Sequence, residues 1–373
     1  MSENPPTGQR AGFRPGLSAT DLVDPARLRA WAQGVLPGDG PLEVARHPEG
    51  HSNLTFVVAR SGDPQGQRWI LRRPPAGPLL PTAHDVVREY RVMALLAAVG
   101  AGVRVPAVTA VCEDPDVIGA PFYVMERVDG VVIRDRLPSW LDGDGHRGEQ
   151  RAVALDLVEA LAELHSAPYE PFVEAGIGRP QGYVARQLRR WVGQREGIER
   201  AVAATGGAAR PLPDYDVVRD WLRAHLPAEE PPAVVHGDYK LDNVIVAGGG
   251  GAAPRVAAIV DWEMATVGDP RADLGYLLSF WVEPGERVPL QELKATAAGF
   301  PTRAELVDRW AARTGREPSH LTFFTTLAIW KLAILLEASH HRYLAGTTDD
   351  AFFARLEEGV PALLRRAREV CGA

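Results

Sequence analysis

This chain of 373 residues has only two cysteines, Cys112 and Cys371, far apart and in no metal-ligand spacing. Their scarcity excludes a disulfide framework and a thiolate metal site, and it suits a reducing compartment. No run of eighteen apolar residues occurs, and the opening segment MSENPPTGQRAGFRPG has no hydrophobic core. Neither a membrane span nor a secretory leader is therefore expected, and the cytoplasm is the expected location. Basic blocks are missing as well. The 41 Lys and Arg are mixed among 48 Asp and Glu for a net charge of −7, which argues against a nucleic-acid surface. No internal repeat is present.

What remains is an ordinary globular composition, 46% hydrophobic and 24% charged, in a chain longer than one core usually serves. Two lobes are expected. The most informative stretch runs from Val234 to Asp273: VVHGDYKLDNVIV, a glycine run, then RVAAIVDWEMATVGDPRAD. Its two β-branched runs, Val244 to Val246 and Val256 to Val260, flank the turn Gly248 to Gly251 and predict a β-hairpin. Asp238 and Asn243 precede the first strand and Asp261 follows the second, so strand pairing brings both loops to one end. Two carboxylates and an amide meeting there can accept a proton and hold a hard divalent cation such as Mg²⁺.

The spacing of His236, Asp238, Asn243 and Asp261 reproduces the kinase layout, in which a base and a metal-binding Asn stand five residues apart and a second Asp follows the next hairpin. HGDYKLDN, IVDWE and GDPRADLG together resemble the aminoglycoside phosphotransferase and choline kinase superfamily. Within it, the chain is most similar to the branch whose members also occur fused to acyl-CoA dehydrogenases. The resemblance implies an α+β, bilobal protein-kinase-like fold. Residues 1–20 read as a polar arm, 21–127 as a β-rich nucleotide-binding lobe, and 128–373 as a larger helical lobe with the catalytic loop and the acceptor region.

The resemblance also distributes roles. Asp238 would be the base and Lys240 would reach the γ-phosphate, with Asn243 and Asp261 holding Mg²⁺ beneath ATP. His236 and Asp273 would support the loop. Ser52 and Asn53 would contact phosphate from a turn that carries only Gly50. Arg72 stands where protein kinases place a lysine, paired with Glu89 of the following helix; Arg73, on the other face of the strand, reads as a solvated edge residue. Glu126 to Val128 would form the hinge that reads the nucleotide base, with the Val128 N–H as donor. The expected reaction is ATP- and Mg-dependent transfer to a hydroxyl of a small molecule, a hydroxyacyl-CoA or hydroxy acid. An aminoglycoside kinase, a nucleotide-binding module without turnover and a protein kinase are the alternatives. Arg186, Arg189 and Arg190 either face an anionic acceptor or form a solvated helix face.

Overall fold

The computed structural model describes residues 22–47, 53–62, 66–75, 85–204, 206–290, 298–346 and 351–373. Ser52 and the remainder of its turn lie outside the described residues. The chain divides into two compact units, each taken by itself below. One comprises residues through Val87 with Thr109–Arg127 and Arg342–Asp349; the other comprises Arg88–Val108, Val128–His341 and Asp350–Ala373.

The first unit opens with helix α1 (Pro25–Ala32), whose start is written in its sequence. Proline fills the first position, and the Asp24 carboxylate accepts from the N–H groups of Ala26 and Arg27. Strands β1 (Leu42–Arg46), β2 (Leu54–Arg60) and β3 (Arg68–Arg73) form an antiparallel meander in which Val57 faces Ile70. After helix α2 (Val86–Ala98), strands β4 (Val108–Cys112) and β5 (Phe122–Glu126) complete a sheet of order β1-β2-β3-β5-β4. Alternation along β2 buries Phe56 and Val58, which pack with Leu71, Phe122 and Val124 and with Leu28 of α1.

From Arg88 onward, α2 groups with the second unit. There β6 (Val131–Val132) precedes α3 (Arg147–His165), the short α4 (Glu170–Glu174), α5 (Tyr183–Ala204) and α6 (Pro213–Ala224). Next come β7 (Ala233–Val235), the hairpin β8 (Val244–Gly249) and β9 (Ala252–Ile259), and β10 (Thr266–Gly268). Helices α7 (Arg271–Phe280), α8 (Arg303–Thr314), α9 (Leu321–Leu344) and α10 (Leu356–Cys371) end the chain.

Helix α9 is long and apolar enough to cross a bilayer by length and composition, and 56% of its most apolar window is buried. Its Phe323, Phe324, Trp330 and Ile334 pack with Leu188, Trp191 and Val360 in the helical core. Gly275 of α7 permits a close approach to α9, since a β-carbon there would lie 2.6 Å from Phe324 Cβ. Glu337, with no exposed surface, is matched by Arg195 at 3.2 Å and by Arg210. This α9 carboxylate is therefore a structural tie among α5, α9 and the segment before α6.

Candidate active site

Two strand pairings assemble the site. In one, β7 lies antiparallel to β10, with Val235 opposite Thr266; in the other, Val244 faces Ile259 across the hairpin, and the Val260 N–H donates to the Asn243 carbonyl at 2.9 Å. The loop after β7 and the loop after β9 are thus adjacent, as the hairpin pattern predicts. His236, fully buried, joins them. Its Nε2 lies 2.9 Å from the Val260 carbonyl, and its Nδ1 accepts the Asp238 N–H at 3.2 Å. Those two partners assign the proton to Nε2 and leave the imidazole a brace between loops.

Gly237 sits at φ +84°, and a β-carbon would stand 2.7 Å from the Met264 carbonyl oxygen. Both facts require glycine, which accounts for Gly where the protein-kinase pattern has Arg. The backbone here is pinned from below by Asp273 at the start of α7. Its Oδ2 accepts the His236 N–H at 2.6 Å, and its Oδ1 accepts the Gly237 N–H at 2.8 Å. His165, at the end of α3, holds Asp273 in turn at 3.3 Å while its Nδ1 accepts from the Trp310 indole at 2.9 Å. Burial pushes the His165 pKa down, against the opposing pull of Asp273. The ring therefore serves as a neutral link.

Asp238 lies above this support with 22% of its side chain exposed. The Asn243 amide nitrogen donates to its Oδ2 at 2.7 Å and to its main-chain carbonyl at 2.8 Å. Lys240 Nζ stands 3.3 Å from the same carboxylate. Burial disfavours the charge, yet Lys240, Lys331 and the Tyr276 hydroxyl together hold Asp238 below the usual carboxylate range. Lys240 responds in kind: burial opposes its charge, while Asp238, Asp242 and Asp261 raise its pKa. The same ammonium thus lies in the field of both loops' acids.

Asp261 adopts φ +68° and ψ +60°, a left-handed conformation that Asp tolerates better than most residues. The loop behind it is fastened by α2. Glu89, buried, accepts the Trp262 N–H at 3.3 Å, and Arg88 donates to the carbonyls of Glu263, at 3.1 Å, and of Ala265. Glu89 therefore anchors the Asp261 loop, a task beyond its expected pairing with Arg72.

Among the described residues no group of three or more His, Cys, Asp or Glu forms a metal centre. Magnesium needs fewer: one or two carboxylates suffice when phosphate and water complete its shell. Asp261 and the amide oxygen of Asn243, whose nitrogen is committed to Asp238, are hard donors of the right kind.

In the first unit Asn53 is 2% exposed, and neither its amide nitrogen nor its oxygen has a hydrogen-bond partner among the described residues. Arg72 is buried on β3, opposite Thr55. Arg73 differs from expectation. Instead of being solvated, it is 5% exposed and donates to the carbonyls of Leu22, Pro74 and Ile118, the last at 2.8 Å. Alternation along a strand says which face a residue takes, not what covers that face. Glu126 is half-buried at the end of β5, paired with Trp69, and the next N–H, that of Arg127, donates to Arg68. Val128, the first residue of the second unit's main segment, is half-buried.

A cavity beside the loop, lined by Tyr183, Trp191, Gly237, Tyr276 and Lys331, brings in residues the sequence pattern did not single out. Lys331 stands in the middle of apolar α9, and its ammonium donates to the Gly237 carbonyl. Tyr276 likewise reads as core. Of the α5 arginines expected to face an anionic acceptor or solvent, Arg189 and Arg190 are exposed, and Arg186 is half-buried and donates to the Arg179 carbonyl.

Residues 43–306 match the model of the phosphotransferase enzyme family. The chain belongs to this family. It is a kinase acting on an alcohol group, with the kinase-like fold. A protein of Ralstonia eutropha JMP134 assigned as an aminoglycoside phosphotransferase is 30% identical, with a TM-score of 0.75 over 94% of this chain and 98% of that one. Choline kinase from Cryptosporidium parvum, at 13% identity, shares the fold with a TM-score of 0.54 over 92% and 97% of the two chains. Acyl-CoA dehydrogenase family member 11 of Rattus norvegicus is 32% identical over 342 residues, covering 87% of this chain and 40% of that protein. Family member 10 of Mus musculus is 32% identical over 330 residues, 87% of this chain and 29% of that protein. The kinase thus spans well under half the length of those relatives.

Proposed function

We propose that this phosphotransferase moves the γ-phosphoryl group of ATP to a hydroxyl of a hydroxy acid or hydroxyacyl-CoA. The observation that carries the reading is the Asp238 carboxylate, kept ionised beside Lys240 and oriented at 2.7 Å by Asn243. Phosphoryl transfer asks the protein mainly for positioning and for balance of charge on the moving group. Asp238 would accept the hydrogen bond of the acceptor hydroxyl, aim its oxygen, and take the proton as the new bond to phosphorus forms. Lys240 would turn from Asp238 toward the γ-phosphate.

Asn243 and Asp261 would hold Mg²⁺, which when bound neutralises phosphate charge. Arg72, Ser52 and Asn53 would contact phosphate oxygens, with Glu89 in support, and Glu126 and Val128 would read the base. The similarity to proteins named as acyl-CoA dehydrogenases supports an acyl or carboxylic acceptor. The cation in the cavity beside Asp238 disfavours an aminoglycoside, itself a polycation. A small-molecule acceptor, a cytoplasmic setting and the absence of nucleic-acid or membrane partners complete the reading.

The test is ADP formation by the full chain with Mg·ATP, screened across hydroxycarboxylates, hydroxyacyl-CoAs and aminoglycosides. Acceptor-dependent ADP release with the first two groups is the expected result. Binding of Mg·ATP without ADP release for any acceptor would overturn it.

A further inference from the structure

The cavity beside the catalytic loop contains a cation that the mechanism above leaves unused. Lys331 projects from α9 to the Gly237 carbonyl, with Nζ 4.8 Å from the Tyr276 ring and 5.5 Å from the Trp191 ring. It forms no ion pair with any described residue. The two acids that act on it are engaged elsewhere: Asp238 by Lys240 and Asn243, and Asp273 by His165 and the His236 and Gly237 N–H groups. An ammonium ion taken largely out of water costs free energy unless an anion or several acceptors offset it. One carbonyl and two aromatic faces offset only part.

We infer that Lys331 is a specificity-determining residue of this kinase: its ammonium receives the carboxylate of the acceptor, and that contact sets the acceptor's hydroxyl against Asp238. The inference rests on the proposed transfer to a hydroxy acid and names the residue that selects the acid. Geometry favours this assignment because one residue, Gly237, links the two groups. Its carbonyl takes the Lys331 ammonium, and its peptide bond leads directly into Asp238. Tyr276 adds a second link: its ring lies 4.8 Å from the ammonium, and its hydroxyl lies in the field of Asp238.

Burial lowers the Lys331 pKa to about 8, with Arg190 and Lys240 acting in the same direction and Asp238 and Asp273 opposing. The charged and titratable groups around it are Asp238 and Lys240 from the loop, Asp273 and Tyr276 from α7, and Tyr183 and Arg190 from α5. The ammonium is therefore present below about pH 8 and lost above it. Acceptor affinity should weaken through that range.

The experiment uses linear hydroxycarboxylates of four to eight carbons, each with its methyl ester and its CoA thioester, on the wild-type chain, Lys331→Met and Lys331→Arg. Steady-state assays give KM and kcat, and calorimetry gives acceptor affinity without turnover. Lys331→Met should raise KM and Kd for the acids by about tenfold or more, leave the esters and the KM for ATP within about twofold, and abolish the weakening near pH 8. Lys331→Arg should keep much of the preference for acid over ester. Equal losses for acid and ester would make Lys331 a mere prop for Gly237 and overturn the inference. A Lys331 effect confined to the CoA thioesters would also overturn it, placing the anion on the CoA phosphates. Failure of the wild type to release ADP with any acceptor counts against the proposed function. In that case the calorimetric difference between acid and ester, present or absent, still decides the role of Lys331.

Discussion

Two buried asparagines show how differently the two units are prepared. Asn243 is 7% exposed, and its amide nitrogen makes two short bonds to Asp238; Asn53 is 2% exposed, and its side chain makes none among the described residues. The loop that carries Asp238 and Asn243 is a hydrogen-bonded unit braced by His236, Asp273, His165 and Trp310. The Asn53 amide, by contrast, carries a desolvation cost that no hydrogen bond among the described residues offsets. The lesson is that one buried amide is built into a network and the other holds its polar capacity in reserve.

The largest expected effect is at the base. Asp238→Asn keeps the shape and removes the proton acceptor, so kcat should fall by roughly two or more orders of magnitude. Next comes the glycine beneath it. Gly237→Ala forces a β-carbon against the Met264 carbonyl at positive φ and should lower stability by about 1–3 kcal/mol in chemical denaturation, with activity falling alongside.

The comparison itself is sharpest in one paired substitution. Asn243→Ala strips Asp238 of its orienting donor and should cost about 1–3 kcal/mol. Asn53→Ala removes an unbonded buried amide and should leave the unfolding midpoint unchanged or higher, while weakening Mg·ATP binding a few-fold. Equal destabilisation by both would erase the distinction drawn here. The smallest effect is on pH dependence. Because Asp238 is held below the usual carboxylate range, its contribution to stability is present above that range and lost as pH falls through the lower folded-state value. Urea melts between pH 5 and 3 should lose less stability in Asp238→Asn than in wild type.

The hairpin and its two acidic loops were legible because they depend on local spacing, namely β-branched runs, a glycine turn and acids at fixed offsets; the supporting role of Asp273 came from the family resemblance. Lys331 was not legible. It stands in an apolar helix about ninety residues beyond the loop it touches, and nothing in the 3.6-residue period separates a cavity-facing lysine from one that snorkels. Trp310, which orients His165, was hidden likewise. Arg73 was misjudged because the carbonyls that bind it come from Leu22 and Ile118, remote in sequence.

The central claim is that Asp238 and Asp261 divide the labour, one serving the acceptor and the other the metal and nucleotide. Titration of Mg·ATP into Asp238→Asn and Asp261→Ala, side by side with wild type, tests it most directly. The account predicts near wild-type affinity for Asp238→Asn and a loss of roughly tenfold or more for Asp261→Ala. Metal-dependent affinity retained by Asp261→Ala, or lost equally by both variants, would contradict it.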